Sequence, residues 1–219
     1  MYSRFKSASI CENLRPMILG HFFTGMNVKV YNILISGVGG QGVLLTSKII
    51  AEAALLQGLD VKQSEVHGMA QRGGSVLSQV RFGEKVFSPI VSEGEADLLI
   101  GFEPLETARY LHFLKDDGAV IYNTRPIGTI GVSIAAEKYP ADVNDVIKNR
   151  AKTVMPFDGT QLAVAAGDKR TLNLVLLGAA LKFLPLKEAF VLDAIVNTVP
   201  KKVLEINQKA FAAGRAQAK

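Results

Sequence analysis

Apolar residues in this chain fall into short runs of two kinds. Val28 to Ser36, "DVKQSEV", "ADLLIGF", "GAVIYNT" and "KTVMPFD" are continuous or alternating runs rich in branched residues and read as strands, the first of them buried on both faces. Between them lie segments with helical spacing. Val43 to Gln57 places Val43, Leu44, Ile49, Ile50, Ala53 and Ala54 along one face and stops at Gly58. "EPLETARYLHFL" predicts a helix with Pro104 in its first turn, where the missing N–H costs little. "DVNDVIKNRA", "GTQLAVAAG", "RTLNLVLLGAALKF" and "LKEAFVLDAIVNTV" predict further helices, with Gly178 allowing close packing. "GVSIAAEKYP" predicts a short strand or turn, and "KKVLEINQKAFAAGRAQAK" a polar helix that frays.

Strand–helix alternation of this kind predicts an α/β protein: a Rossmann-like three-layer sandwich around a mostly parallel sheet. One interruption is expected. "SVLSQVRFG" and "KVFSPIV" are alternating runs separated by Gly83 and Glu84, and they predict an antiparallel hairpin inserted where a standard dinucleotide fold has a helix. With 219 residues the chain suits one large domain, expected over 26–219. Residues 1–25 do not share its pattern and predict a flexible extension, or a start codon assigned too early.

Composition narrows the function. No apolar run reaches the roughly 20 residues that span a bilayer, which argues against a membrane protein. The formal charge is +5, but residues 1–25 carry +2 and residues 201–219 carry +4, so the body is at −1. A basic stripe for nucleic acid is not part of that pattern. Cys11 is the single cysteine, which excludes a disulfide framework, fits a cytoplasmic protein and cannot supply the four thiolates of a Cys-ligated iron–sulfur cluster. His21, His67 and His112 are not paired at metal-ligand spacing.

Two stretches carry candidate chemistry. In "NILISGVGGQG" a strand meets G-x-G-x-x-G at Gly37, Gly39 and Gly42, with Gly40 and Gln41 inside the turn. A helix opening after such a turn directs unpaired N–H groups and partial positive charge at whatever lies above it, which suits a phosphate of a nucleotide or of coenzyme A. The same glycines also serve a turn that only packs, or that touches another subunit. For NAD an acidic residue should end the second strand, and Glu65 roughly fits, although Gln41 is bulky for the fingerprint and the hairpin breaks the topology. In "SEVHGMAQRGGSV", His67, Gln71 and Arg72 stand beside Gly68, Gly73 and Gly74, as in a loop facing a cofactor or a partner's active site, or in a solvated turn. Glu103 and Glu106 favour the start of a helix without needing a catalytic role, and Lys169 and Arg170 suit a solvated helix end better than a contact with a partner or a phosphate. No nucleophile elbow, Walker lysine motif or H-E-x-x-H is present, so the chain offers no self-sufficient catalytic constellation.

"ILISGVGGQGVLLTSKIIAEAA" followed by "SEVHGMAQRGGSVLSQVRFG" closely resembles the β subunit of indolepyruvate:ferredoxin oxidoreductases, which corresponds to the γ subunit of the wider 2-oxoacid:ferredoxin oxidoreductase group. "ADLLIGFEPLETARYL" and "NLVLLGAAL" follow in kind and order, so the resemblance covers roughly 26–199. It implies oxidative decarboxylation of an arylpyruvate to an arylacetyl-CoA, with the electrons passed to ferredoxin. It also implies that thiamine diphosphate and [4Fe-4S] clusters sit on a larger, cysteine-rich partner subunit. This chain would hold no cofactor alone. The residues it would bring to coenzyme A or to the subunit contact are Gly37, Gly39, Gly40, Gln41, Gly42, His67, Gln71, Arg72, Gly73 and Gly74. A stand-alone NAD(P)-dependent oxidoreductase and a purely structural subunit remain the alternatives.

Overall fold

A computed structural model describes residues 29–67, 73–127 and 139–218. The expected extension, residues 1–25, and most of "GVSIAAEKYP" lie outside the described residues. Six strands form one sheet in the order β2-β3-β1-β4-β5-β6, with β1 at Tyr31–Val38, β2 at Asp60–His67, β3 at Ser75–Gly83, β4 at Ala96–Gly101, β5 at Leu114–Asn123 and β6 at Thr153–Phe157. β1, β4, β5 and β6 pair in parallel, while β3 runs antiparallel to both β1 and β2. Five strands therefore point one way and β3 alone points back, which is the expected α/β sandwich with an antiparallel insertion.

The insertion is built from other segments than the pattern predicted. The hairpin is β2 with β3, and Lys85–Val91 forms no strand. The reason is the ladder: β3 spends one edge on β1 and the other on β2, leaving no edge for a further run. Residues 84–91 cross instead as an extended strap held by side chains. Val86 N donates to Asp60 Oδ2 at 2.9 Å, Arg81 Nη1 donates to the carbonyls of Ser88 at 3.0 Å and Ile90 at 2.7 Å, and Val91 N donates to Gln79 Oε1 at 2.7 Å.

The run predicted for the first strand, Val28 to Ser36, is a strand from Tyr31 and continues to Val38; Val28 lies outside the described residues, and the buried residues of β1 alternate between two cores. Ile33 and Ile35 face one helical layer, made by α1 (Val43–Leu56), α4 (Gly159–Ala166), α5 (Leu172–Ala180), α6 (Glu188–Thr198) and α7 (Leu204–Gln217). Leu34 faces the other core, with Leu99, Val120 and Tyr122, where α2 (Pro104–Arg109) and α3 (Val143–Arg150) and the strap residue Val91 pack. The predicted long helix from Glu103 stops at Arg109, and a 3₁₀ turn at Leu111–Phe113 leads directly into β5.

α7 departs from the expected fraying helix. Ala210, Phe211 and Gly214 are buried, and α7 packs closely on α5. The crossing is set by two glycines. A Cβ on Gly178 would lie 2.1 Å from Phe211 O, and one on Gly214 would lie 1.8 Å from Val175 O. A helix with polar outer residues is thus held by its small inner ones.

Candidate functional site

The forward-pointing strands end along one edge, and both candidate stretches meet there. Gly37 is still inside β1 and is required by packing, because a Cβ would lie 2.8 Å from Phe102 Cβ and 2.9 Å from Val43 Cγ2. Gly40 and Gly42 have φ of 100° and 93°, left-handed backbone that side-chain-bearing residues rarely adopt. Gly42 caps α1 and lies against Asn173 of α5, whose Cβ would be 3.1 Å from an added Cβ. At Gly40 an added Cβ would meet no atom of the described residues within 4 Å, so the crown of the turn is open among them.

Gly73 and Gly74 close on this turn from the start of β3. Gly39 N donates to Gly74 O at 2.8 Å, and Gly73 N donates to Gly39 O at 3.3 Å. The first turn of α1 carries no acidic residue and its cap makes no side-chain hydrogen bond. A helix start of this kind carries partial positive charge, which favours an anion. Beyond Gly42, Asn173 also lines a cleft of about 300 Å³ with Leu45, Ile206 and the cationic Arg170 and Lys202. Arg170 is tied to Asp168 at the rim and is exposed, as a solvated helix end would have it.

Gln41 turns inward. Its Oε1 accepts from Val38 N at 2.6 Å, and its Nε2 donates to Phe102 O at 3.0 Å. The same carbonyl accepts from Asn123 Nδ2 at 3.2 Å, and Asn123 Oδ1 accepts from Thr160 N at 3.3 Å. One line of amides thus stitches β1, β4, β5 and α4 at the edge, and Gln41 shapes the turn from beneath.

A pair of buried carboxylates, read from the sequence only as helix-start residues, lies beside the turn. Glu103 and Glu106 are 0% and 1% exposed. Glu103 is indeed the cap of α2, its Oε2 accepting from Glu106 N at 2.9 Å. Its Oε1 accepts from the Tyr139 hydroxyl and, at 3.4 Å, from Ile127 N. Burial, then the bond to the Glu103 carboxylate, pushes the Tyr139 phenol above its ordinary range. Glu106 Oε2 accepts from Ser75 Oγ at 2.5 Å, and Oε1 faces Arg109 Nε at 3.2 Å. Burial raises the Glu106 carboxyl above the usual carboxylate range, against the lowering effects of Ser75 and Arg109. The sequence signal for this pair is Glu-Pro-x-Glu, which announces a cap and gives no hint of burial.

Of the ten predicted site residues, Gly37, Gly39, Gly40, Gln41, Gly42, Gly73 and Gly74 come together at this edge. His67 closes β2 opposite Val76, while its side chain and all of Gln71 and Arg72 lie outside the described residues. Glu65 does not stand beside the turn as a dinucleotide fold requires. β3 separates β2 from β1, and Glu65 accepts from Gln63 Nε2 at 2.9 Å. Among the described residues no cluster of three or more His, Cys, Asp and Glu could hold a metal ion, and no helix is long and apolar enough to cross a membrane.

Comparison with known proteins places these features. The family model of pyruvate ferredoxin/flavodoxin oxidoreductase matches residues 32–217. Indolepyruvate oxidoreductase subunit IorB of Thermococcus kodakarensis is 42% identical over 197 residues, covering 88% of this chain and 98% of the relative. The γ subunit of a keto/oxoacid ferredoxin oxidoreductase from Geobacter sulfurreducens has the same fold, with a TM-score of 0.65 at 26% identity over 86% of this chain and 98% of that one. A 2-oxoglutarate:ferredoxin oxidoreductase of Magnetococcus marinus, solved with 2-oxoglutarate, coenzyme A and succinyl-CoA bound, shares the fold with a TM-score of 0.66 at 21% identity; the match covers 87% of this chain and 31% of that longer one.

Proposed function

The chain belongs to the pyruvate ferredoxin/flavodoxin oxidoreductase family, as a subunit of a 2-oxoacid:ferredoxin oxidoreductase, and on that premise we propose that its complex acts on an arylpyruvate. The 2-oxoacid loses its carboxylate as CO2, its acyl carbon becomes bonded to the sulfur of coenzyme A, and the two electrons released pass to ferredoxin. The aryl substrate class rests on the 42% identity to an indolepyruvate oxidoreductase subunit. Thiamine diphosphate, which supplies the decarboxylation chemistry, and the [4Fe-4S] clusters belong to the larger subunit, since one cysteine cannot provide a cluster's thiolates. We place the complex in the cytoplasm, and the folded part of this chain at 26–219 as one domain.

This chain's own share is the glycine turn. Gly40, open above and left-handed, stands at an uncompensated helix start where a phosphate of coenzyme A fits. That opening carries the reading. The inward side chain of Gln41 leaves backbone N–H groups, not that amide, as the donors.

Two expected results test it. The purified chain alone will be colourless and will not turn over indolepyruvate with ferredoxin; activity will appear only with the cysteine-rich partner. Turnover by the isolated chain would contradict this division of labour. In the assembled complex, Gly40→Ala will put a methyl group into the open space and weaken coenzyme A roughly tenfold, a loss of about 1.4 kcal/mol. Gly58→Ala is the control, because Gly58 has a φ of 86°, also has no atom of the described residues within 4 Å of an added Cβ, and sits at the far end of α1. Equal coenzyme A affinity in the two variants would remove the turn from the coenzyme A site and favour a structural role.

A further inference from the structure

We propose that Glu106 is a positioning residue for the glycine turn: through Ser75 it holds the Gly73–Gly74 segment against Gly39 and so sets how tightly the turn receives the phosphates of coenzyme A. The proposal rests on the reading that the turn meets coenzyme A.

The chain of contacts is continuous. Gly39, at the turn, exchanges two backbone hydrogen bonds with Gly73 and Gly74, at 3.3 Å and 2.8 Å. The next residue, Ser75, begins β3 and gives its hydroxyl to Glu106 at 2.5 Å, with Tyr110 Oη 3.2 Å from the same Oγ. Glu106 is a fixed post, because α2 is seated on β4. Gly101 has no room for a Cβ, which would lie 1.8 Å from Thr107 Oγ1, and that hydroxyl is itself bonded to Glu103 O at 2.7 Å. The turn receives its own support from Gln41 on the β4 side and from this clasp on the β3 side. Loss of the Ser75–Glu106 bond loosens the second side only, where the pairing of Val38 with Ser75 remains.

A carboxylate buried to this degree is costly unless it is paired and hydrogen-bonded, and Ser75 and Arg109 are the partners that hold it there. The groups facing Glu106 are Glu103 and Arg109 of α2, Ser75 of β3, and Tyr110 and Tyr139. Desolvation, with a smaller push from Glu103, raises its pKa, while Ser75 and Arg109 lower it. The net direction is upward, so on acidification Glu106 takes its proton while a solvated glutamate would still be ionised. The protonated acid is the weaker acceptor for Ser75, and coenzyme A affinity should then fall on the acid side.

The test uses the complex reconstituted with its partner subunit, read by KM for coenzyme A, kcat, and calorimetric binding of coenzyme A. Ser75→Ala should raise KM and Kd for coenzyme A roughly fivefold to tenfold, as loss of a hydrogen bond to a charged group allows. kcat should stay within about twofold, and Ser75→Thr, which keeps the hydroxyl, should restore affinity. Glu106→Gln should weaken coenzyme A in the same direction at neutral pH and flatten the acid limb of the affinity profile. Wild-type affinity in both Ser75→Ala and Glu106→Gln, with Gly40→Ala still weakened, would overturn the positioning role and leave the turn as the coenzyme A site. Wild-type affinity in all three would instead overturn the turn reading on which the role depends. A fall in kcat with unchanged KM and Kd in Ser75→Ala would also overturn the positioning role. If Glu106→Gln does not assemble, the contrast between Ser75→Ala and Ser75→Thr decides alone.

Discussion

Gly214→Ala will destabilise the protein by roughly 3 kcal/mol, although alanine is the better helix former. Propensity alone predicts the opposite sign, a gain of about 1 kcal/mol. The contact outweighs it because the atom in the way is backbone. The added methyl would lie 1.8 Å from the carbonyl oxygen of Val175, and 2.7 Å from its carbonyl carbon. No rotamer change relieves that overlap, so α7 has to move away from α5 and uncover Phe211 and Ala210. Gly178→Ala attacks the same crossing from the other side, with its methyl 2.1 Å from Phe211 O. For a chain of this length the loss should appear as a fall in Tm of roughly 6–12 °C. Combining the two substitutions should cost less than the sum, since the first separation already makes room for the second. Thermal unfolding of the three variants checks this, and an unchanged or raised Tm for Gly214→Ala would refute the account of the crossing.

The second large effect is at Glu103. Glu103→Ala should cost roughly 3–4 kcal/mol, adding the loss of a helix cap to the stranding of buried donors. The donors are the Glu106 amide at 2.9 Å, the Tyr139 hydroxyl and the Ile127 amide at 3.4 Å. Glu103→Gln keeps an acceptor oxygen in nearly the same place and should cost only about 1 kcal/mol. It also removes the neighbouring charge that helps raise the Glu106 carboxyl, so the Glu106 pKa should fall toward the ordinary range. Chemical denaturation of both variants separates the two contributions. Equal losses would mean that the charge of Glu103, and not its acceptor geometry, is what the surrounding donors require.

How much of this was legible in the sequence differs from element to element. β1, α1 and the glycine turn follow from local rules, because a continuous apolar run, a helical stripe and a glycine cluster each constrain the backbone where they occur. The strap at residues 84–91 was not legible. Its alternation is that of a strand, and only the occupation of both β3 edges denies it a ladder. Burial of α7 was hidden for a related reason, since Gly214 and Ala210 contribute nothing to an apolar pattern and act only through their smallness. At the site, "GVGGQG" and the glycines Gly73 and Gly74 were each legible as candidate loops, whereas the bonds that join them at Gly39 are long-range and left no local signal. The Glu106–Ser75 bond could not, because it joins residues 31 apart and neither has an unusual local setting.

The placement of β3 between β1 and β2 also sets an order of assembly. In an ordinary β-α-β unit the first strand finds its parallel neighbour as soon as the second has been made. Here β1 borders β3 and β4, both of which come after β2 in the chain. During synthesis β1 therefore has neither neighbour until residues beyond Phe82 have left the ribosome, and its apolar residues Ile33, Leu34 and Ile35 must stay sheltered until then. The glycine turn at its end is completed in the same step, because Gly39 is fastened by the residues that lead into β3. The edge that carries the glycine turn is thus a late product of folding, closed by the one strand of this sheet that runs backwards.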